Sequence, residues 1–121
     1  MRTSASKKSI LIVDDEDDIR DTLRDVFEDE GYVVEAAANG EEALAVLRAR
    51  PKPALVILDL LMPIMDGNAL YRAMKADPAF ADIPIIVSSS DPSRAPSGVL
   101  IVKKPVIGTK RARINVPTVK Y

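Results

Sequence analysis

Short apolar runs alternate with amphipathic stretches along most of this chain of 121 residues. A run of about four to eight apolar residues bounded by turn signals is typical of a buried strand, whereas apolar residues spaced three and four apart indicate a helix. Strands that alternate with helices in this way predict a parallel α/β sheet. The predicted strands cover residues 9–13, 32–37, 54–58, 84–88 and 99–102, and the predicted helices cover residues 16–30, 39–50 and 68–76.

The helix boundaries carry their own signals. In the first predicted helix, Ile19, Leu23, Val26 and Phe27 fall on one face, which predicts that this face packs on the sheet. Gly31 follows as a helix-terminating residue, because glycine readily adopts the left-handed conformation found there. In the next helix, Asn39 is the predicted N-cap. The predicted inner faces of the second and third helices consist of Ala43, Leu44 and Leu47, and of Leu70, Tyr71 and Met74.

The last third of the chain departs from this alternation. Only residues 89–98 separate the fourth and fifth predicted strands, and they include two prolines and a glycine. A parallel crossover usually takes a dozen or more residues, commonly a helix. We therefore expect a shortened or absent fourth helix. Residues 106–121 show no clean helical face, so a fifth helix would be atypical, and the sequence does not predict how this segment packs.

Composition narrows the chemistry that this chain can perform. The chain has no cysteine and no histidine, which excludes disulfides, thiol catalysis and the usual zinc ligands. A bound metal would have to use carboxylates and carbonyls, which favour a hard cation such as Mg²⁺. No apolar run approaches the roughly 20 residues that span a bilayer. The start of the chain also lacks the apolar run of a secretory signal, so we expect a cytoplasmic location and no membrane partner.

The net charge of −1 hides an asymmetry between the two parts of the chain. Residues 103–121 hold six basic side chains and no acid, whereas the rest of the chain carries a net charge of −7. The short cluster at residues 110–113 has few aromatic neighbours and no helix-turn-helix pattern. Direct nucleic-acid binding is therefore not favoured, and a solvated tail explains the cluster more simply.

Chemically reactive side chains follow the predicted strands at their carboxyl ends. In an open parallel sheet these ends meet at one edge, where ligands bind. Three carboxylates at that edge would repel one another, and a divalent cation would relieve the repulsion. An aspartate beside bound Mg²⁺ can attack a phosphoryl donor, while a lysine and a hydroxyl stabilise the new phosphate. The residues concerned are Asp14, Asp15, Asp59, Ser89 and Lys104.

Each of these residues also has an ordinary structural explanation. Asp14 and Asp15 could cap the first helix, Asp59 could form a turn, and the remaining residues could be a loop serine and a solvated lysine. Taken singly, most of these explanations are the more common ones. All the residues occur in order at the ends of successive strands, however, and this joint arrangement favours a site.

The segment from residue 55 to residue 67, LVILDLLMPIMDG, resembles the phosphoacceptor segment of bacterial response regulator receiver domains. The resemblance extends over residues 8–105. It implies a flavodoxin-like, doubly wound parallel sheet of five strands in the order 2-1-3-4-5. It also divides the chain into an N-terminal tail at 1–7, a receiver domain at 8–105 and a basic C-terminal segment at 106–121.

The resemblance implies a role for each candidate residue. Asp59 would be the phosphoacceptor, and the protein ligands of Mg²⁺ would be Asp59, Asp15, Asp14 through water, and the backbone carbonyl of Leu61. Ser89 would be the switch hydroxyl, and Lys104 would pair with the carboxylate and then with the phosphate. Lys104 precedes Pro105, and this peptide bond is often cis in the family. The expected partners are a sensor histidine kinase or phosphotransfer protein and a downstream protein, and the domain would assist only its own phosphorylation and dephosphorylation without being an enzyme.

Two features leave alternatives open. Ile101 stands where the family usually has an aromatic switch residue, and the helices that carry the usual output surface are altered. The chain could therefore be a phosphate-independent interaction module that forms a homodimer through its altered C-terminal face. A Mg²⁺-dependent phosphatase of similar topology would need a second acid two residues after the nucleophile. That position is Leu61, which argues against this class.

Overall fold

The structure is a computed structural model, and it describes residues 8–89 and 92–103. Five strands alternate with three α-helices along this part of the chain. The strands are β1 (Ser9–Val13), β2 (Val33–Ala37), β3 (Leu55–Leu58), β4 (Ile85–Ser89) and β5 (Leu100–Lys103), and the helices are α1 (Asp17–Asp29), α2 (Gly40–Ala49) and α3 (Gly67–Ala76).

The five strands form one sheet in the order β2-β1-β3-β4-β5, and every pair is parallel. This order confirms the predicted doubly wound, flavodoxin-like fold. The register aligns the strand ends, because Val13 pairs with Ala37 on one side and with Leu58 on the other. The residues that follow β1 and β3 therefore emerge next to each other at one edge of the sheet.

Two hydrophobic clusters hold the helices on the sheet. The predicted inward residues Ile19 and Leu23 of α1 are buried, and Phe27 is partly buried against the same cluster. That cluster also contains Ile10 and Ile12 of β1. The alternate β1 residues contribute to the second cluster, because successive strand side chains point to opposite faces. The second cluster joins Leu11 and Val13 to Ala43, Leu47, Leu70 and Met74 of the other two helices.

The helix ends follow the predicted signals. Gly31 has a φ of 96° just after α1, and its amide donates to the carbonyl of Glu28. Asn39 is the N-cap of α2, and its side chain accepts a hydrogen bond from the Glu42 amide at 2.9 Å. Asp66 caps α3 in the same way through the Ala69 amide.

The connection between β4 and β5 is short, as the sequence predicts. In the described part of this connection, the only helical element is a single 3₁₀ turn at Pro92–Arg94. β4 begins and ends one residue later than predicted, so Ser89 is its last residue. Residues 106–121, where a fifth helix would be atypical, lie outside the described residues. Among the helices described, none has the length and apolar character needed to cross a bilayer.

Candidate functional site

Three aspartates meet at the carboxyl ends of β1 and β3. Asp14 and Asp15 follow β1, and Asp59 follows β3. One oxygen from each of the three carboxylates lies within 4.8 Å of the other two. Only 2% of Asp14 and 3% of Asp59 is exposed, whereas Asp15 is exposed to solvent. The arrangement is a carboxylate cluster with a buried floor and one side open to solvent.

The sheet itself places two of these aspartates. The Asp14 amide donates to the Ala37 carbonyl of β2 at 3.0 Å. The Asp59 amide donates to the Val13 carbonyl of β1 at 2.8 Å. Both hydrogen bonds continue the parallel ladder by one residue beyond the strands, so the two backbones cannot drift apart. The position of the site is therefore a consequence of strand register.

The turn between β1 and α1 orders the aspartate pair. The Asp14 carboxylate accepts a hydrogen bond from the Glu16 amide at 2.9 Å. Glu16 is the N-cap of α1, and its own side chain makes no capping hydrogen bond. The interpretation of Asp14 and Asp15 as helix caps therefore does not describe this turn. The Asp14 carboxylate instead closes the turn through the Glu16 amide. Asp15 is left exposed to solvent next to the buried carboxylates.

The donor set fits a hard divalent cation. Three carboxylates supply oxygen ligands and as many as three negative charges, and the residues of the cluster provide no nitrogen or sulfur ligand. Mg²⁺ prefers such oxygen donors and keeps several water molecules, for which the exposed side of the cluster leaves access. The carbonyl of Leu61, two residues beyond Asp59, belongs to the same loop. The predicted Mg²⁺ ligands are therefore compatible with the observed carboxylate cluster.

The loop between β3 and α3 has an unusual backbone. Ile64 has a φ of 68°, a left-handed conformation that β-branched residues rarely adopt. The Met65 amide donates to the Pro63 carbonyl at 2.7 Å, so the three residues form a γ-turn. The Met65 carbonyl then accepts from the Gly40 amide at 2.9 Å, which attaches the loop to the start of α2. The side chains of Leu61 and Ile64 in this loop are 55% and 75% exposed.

The remaining predicted site residues lie on β4 and after β5. Ser89 ends β4, is 2% exposed and pairs in register with Lys103 of β5. The neighbouring Ser88 is also buried, at 4% exposure. Lys104 and the Lys104–Pro105 peptide bond lie outside the described residues. Their predicted roles therefore stay predictions.

Sequence reasoning missed one residue that contacts this region. The guanidinium of Arg20 on α1 donates to the Asp14 carbonyl at 2.6 Å and forms an ion pair with Asp17. The spacing of Arg20 and Asp17, three positions apart on a helix, was a visible signal for the ion pair. The contact with Asp14 depends on how tightly the turn before α1 folds, which the local sequence pattern does not specify.

Comparisons with known proteins agree with this geometry. A family model described as the response regulator receiver domain matches residues 10–98. Among curated proteins, the chain is 43% identical over 86 residues to an uncharacterized 14.6 kDa protein of Leptolyngbya boryana. That match covers 71% of this chain and 64% of the relative. The chain therefore spans slightly less than two thirds of the length of this relative.

Solved structures show the same likeness. The N-terminal domain of a response regulator receiver protein from Methanoculleus marisnigri is 42% identical, with a TM-score of 0.66. The match covers 69% of this chain and 68% of that one. The chemotaxis response regulator CheY4 of Vibrio cholerae is 29% identical, with a TM-score of 0.75. In that comparison 84% of this chain and 89% of the other are covered.

Proposed function

We propose that this chain, which belongs to the response regulator receiver domain family of two-component systems, accepts a phosphoryl group on Asp59. The observation that carries the proposal is the cluster of Asp14, Asp15 and Asp59, in which one carboxylate oxygen of each residue lies within 4.8 Å of the other two. A buried aspartate at a strand end, next to two other carboxylates, has little structural use, because a buried charge is costly. Its close acidic neighbours instead suit a cation-dependent nucleophile.

The proposed Mg²⁺ ligands are Asp15, Asp59 and the Leu61 carbonyl directly, and Asp14 through water. When bound, Mg²⁺ would offset the carboxylate charges and polarise a phosphoryl oxygen. The residues of the chain have distinct tasks around it. Asp14 is buried and accepts a hydrogen bond from the Glu16 amide, so it would supply negative charge from the buried side of the cluster. Asp15 lies on the exposed side, where an incoming phosphoryl group would approach.

In the proposed transfer step, a carboxylate oxygen of Asp59 attacks the phosphorus of a phosphohistidine on a partner protein. The new oxygen–phosphorus bond forms as the phosphorus–nitrogen bond breaks. The leaving imidazole takes a proton from solvent, and Asp59 becomes an acyl phosphate. The 121 residues of this sequence include no histidine, so the phosphohistidine lies outside them.

In a separate hydrolysis step, water attacks the phosphorus of the acyl phosphate. Inorganic phosphate leaves and the Asp59 carboxylate is restored, so the chain assists a cycle on itself and is not proposed to be an enzyme acting on other molecules. Ser89 would donate its hydroxyl hydrogen to a phosphoryl oxygen from the end of β4. Lys104 would pair with the carboxylate before transfer and with the phosphate afterwards.

The proposed partners follow from this chemistry. Receiver domains work with histidine kinases, and here we propose a sensor histidine kinase or a phosphotransfer protein as the donor. A downstream protein would recognise the phosphorylated form, because phosphate at the sheet edge would bias an equilibrium between two conformations. These steps would take place in the cytoplasm.

Intact-mass spectrometry after incubation with acetyl phosphate or phosphoramidate tests the proposal. The wild-type chain is expected to gain one phosphoryl group in the presence of Mg²⁺ and none when EDTA replaces the metal. Asp59→Asn is expected to gain none under either condition, because its amide oxygen is a poor nucleophile. Peptide mapping after borohydride reduction should place the modification on Asp59.

A matched control separates the site from general acidity. Asp25 is an exposed aspartate on α1, and Asp25→Asn removes the same charge away from the cluster. This variant is expected to be phosphorylated like the wild type. A wild-type chain that gains no phosphoryl group with either donor, while remaining folded, would overturn the proposal.

A further inference from the structure

We propose that Arg20 is a positioning residue for the Mg²⁺ site, acting on the peptide group that joins Asp14 to Asp15. This inference rests on the proposed function, because it assumes that the two aspartates hold Mg²⁺. The observation behind it is the hydrogen bond from the Arg20 guanidinium to the Asp14 carbonyl at 2.6 Å. That carbonyl belongs to the peptide plane from which both side chains extend.

Two other polar groups of Asp14 are bonded to backbone groups. Its amide donates to the Ala37 carbonyl, and its carboxylate accepts from the Glu16 amide. Neither contact can be altered by changing the side chain of the partner. The Asp14 carbonyl differs, since it accepts a hydrogen bond from the Arg20 side chain. Rotation of this peptide plane would turn Asp15 relative to Asp14, so a hydrogen bond that holds the plane would fix the angle between two proposed ligand residues.

Arg20 is itself held in place. Its guanidinium pairs with the carboxylate of Asp17, and only 20% of its side chain is exposed, against 82% for Asp17. A planar guanidinium with several donors can hold two acceptors at a fixed angle. The ion pair also offsets the positive charge that Arg20 would otherwise present to a cation nearby. The pair thus provides orientation with little net charge.

Positioning and simple charge predict opposite signs for one substitution. If Arg20 acts mainly through its charge, removing it makes the site more negative and Mg²⁺ binds more tightly. If Arg20 positions the Asp14–Asp15 peptide, its removal weakens Mg²⁺ binding. Loss of a residue that orients a metal ligand commonly lowers metal affinity by about tenfold or more. A loss of about tenfold is therefore expected for Arg20→Met.

The experiment is a Mg²⁺ titration of the whole chain in the absence of any phosphoryl donor. Binding is monitored through amide chemical shifts in NMR spectra. Arg20→Met should raise the dissociation constant by about tenfold. Arg20→Lys should recover part of the loss, because an ammonium group also donates to a carbonyl. Asp17→Asn should weaken binding more than Asp21→Asn, which removes the same charge from the same helix without releasing Arg20.

Arg24→Met is the matched control. Arg24 lies one helical turn further along α1, donates to the Val34 carbonyl at 3.3 Å and pairs with Glu28. Its removal changes the net charge equally and also loses a helix-to-strand contact, yet Mg²⁺ affinity should stay within twofold of the wild type. Thermal unfolding in EDTA shows whether each variant is folded at the titration temperature.

The outcomes separate this inference from the proposed function. Unchanged or tighter Mg²⁺ binding by Arg20→Met, with normal binding by the wild type, would overturn the positioning role and leave the phosphoacceptor proposal standing. Equal losses in the Arg20 and Arg24 variants would also overturn it, since they would indicate a general effect of α1. A wild-type chain whose amide shifts do not respond to Mg²⁺ would overturn both.

Discussion

Gly67 lies directly against the backbone of Asp59. Its amide donates to the Leu60 carbonyl at 2.9 Å, and the first residue of α3 is thereby held on the end of β3. A Cβ atom at position 67 would lie 2.7 Å from the Cα of Leu60 and would also collide with the Asp59 carbonyl oxygen. The glycine is therefore required by close approach, since any side chain would push the helix away from the proposed phosphoacceptor.

Gly67→Ala is expected to reduce both stability and phosphorylation. The colliding atoms are backbone atoms of Asp59 and Leu60, directly after the central strand β3, and they cannot move aside as a flexible side chain could. Overpacking of this kind costs about 3 kcal/mol of unfolding free energy. Displacement of Asp59 should also slow its modification. Urea unfolding and the phosphorylation rate with acetyl phosphate measure the two effects.

Gly31→Ala provides the comparison for that variant. Gly31 also has a special backbone, with a φ of 96°, but a Cβ there would meet no atom within 4 Å. Its replacement should cost about 1 kcal/mol through left-handed strain alone and leave the phosphorylation rate unchanged. If the phosphorylation rate fell by the same fraction in both variants, proximity to Asp59 would not be the cause of the loss in Gly67→Ala.

Ile64 in the γ-turn predicts a substitution that stabilises the protein. A left-handed backbone costs an ordinary L-residue about 1–2 kcal/mol, and the 75% exposed side chain of Ile64 gains little from burial. Asparagine tolerates this conformation better. Ile64→Asn should therefore raise the free energy of unfolding by about 1 kcal/mol, measured by urea denaturation.

Ile64→Val is the control for strain at this position. Valine keeps the β-branch and has a similar left-handed penalty, so no gain in stability is expected. A gain of equal size in Ile64→Val would attribute the effect to reduced apolar exposure, and a loss in Ile64→Asn would indicate that the isoleucine side chain makes a contact worth more than the strain.

Most of the sheet could be predicted because each strand has a clear local sequence pattern. The apolar runs end on residues of clear chemistry, such as Val13 before Asp14 and Leu58 before Asp59, and parallel topology then brings those ends together. The N-cap Asn39 and the left-handed Gly31 were predictable for the same reason. Their roles depend on a few neighbouring residues and not on distant contacts.

The features that could not be predicted depend on tertiary geometry. Residue preference argues against a left-handed Ile64, and only the attachment of the loop through Met65 to the start of α2 explains how this conformation is held. The contact of Arg20 with the Asp14 carbonyl requires the exact path of the β1–α1 turn. In the first case the surrounding structure overrides the local preference, and in the second it decides a contact that the local sequence leaves open.

The ion pair between Lys52 and Asp82 makes a pH-dependent prediction away from the site. The Lys52 ammonium lies 2.8 Å and 3.1 Å from the two carboxylate oxygens of Asp82. Its hydrogen bond and charge hold the pKa of Asp82 below the usual value. Lys52→Met should move the NMR titration midpoint of Asp82 upward, whereas Lys52→Arg should keep it low.

The sign of the stability effect follows from this lowered pKa. Because the folded state holds Asp82 ionised more strongly than the unfolded state does, the pair stabilises the fold above the ordinary aspartate pKa. This contribution is lost as the pH falls through the lowered pKa. The pair is exposed, so the effect should be small and should shrink further in salt. A midpoint that does not move in Lys52→Met would contradict the assigned cause.

Asp59→Asn is expected to change stability in opposite directions with and without Mg²⁺. In EDTA, the substitution removes one of three neighbouring carboxylates, two of which are buried. Relief of their repulsion should stabilise the fold by about 1 kcal/mol. Saturating Mg²⁺ should stabilise the wild type by about 2.7 kcal/mol at a hundredfold excess over the dissociation constant, and the variant by less, because it has lost one ligand charge. Thermal unfolding of both proteins in EDTA and across a Mg²⁺ series would show the two curves of stability against Mg²⁺ concentration crossing.

Asp25→Asn is the control, and its curve should not cross that of the wild type, since Asp25 lies outside the cluster. If Asp59→Asn were less stable than the wild type in EDTA, the three carboxylates would not be in net repulsion, and the electrostatic argument for a cation at this site would fail.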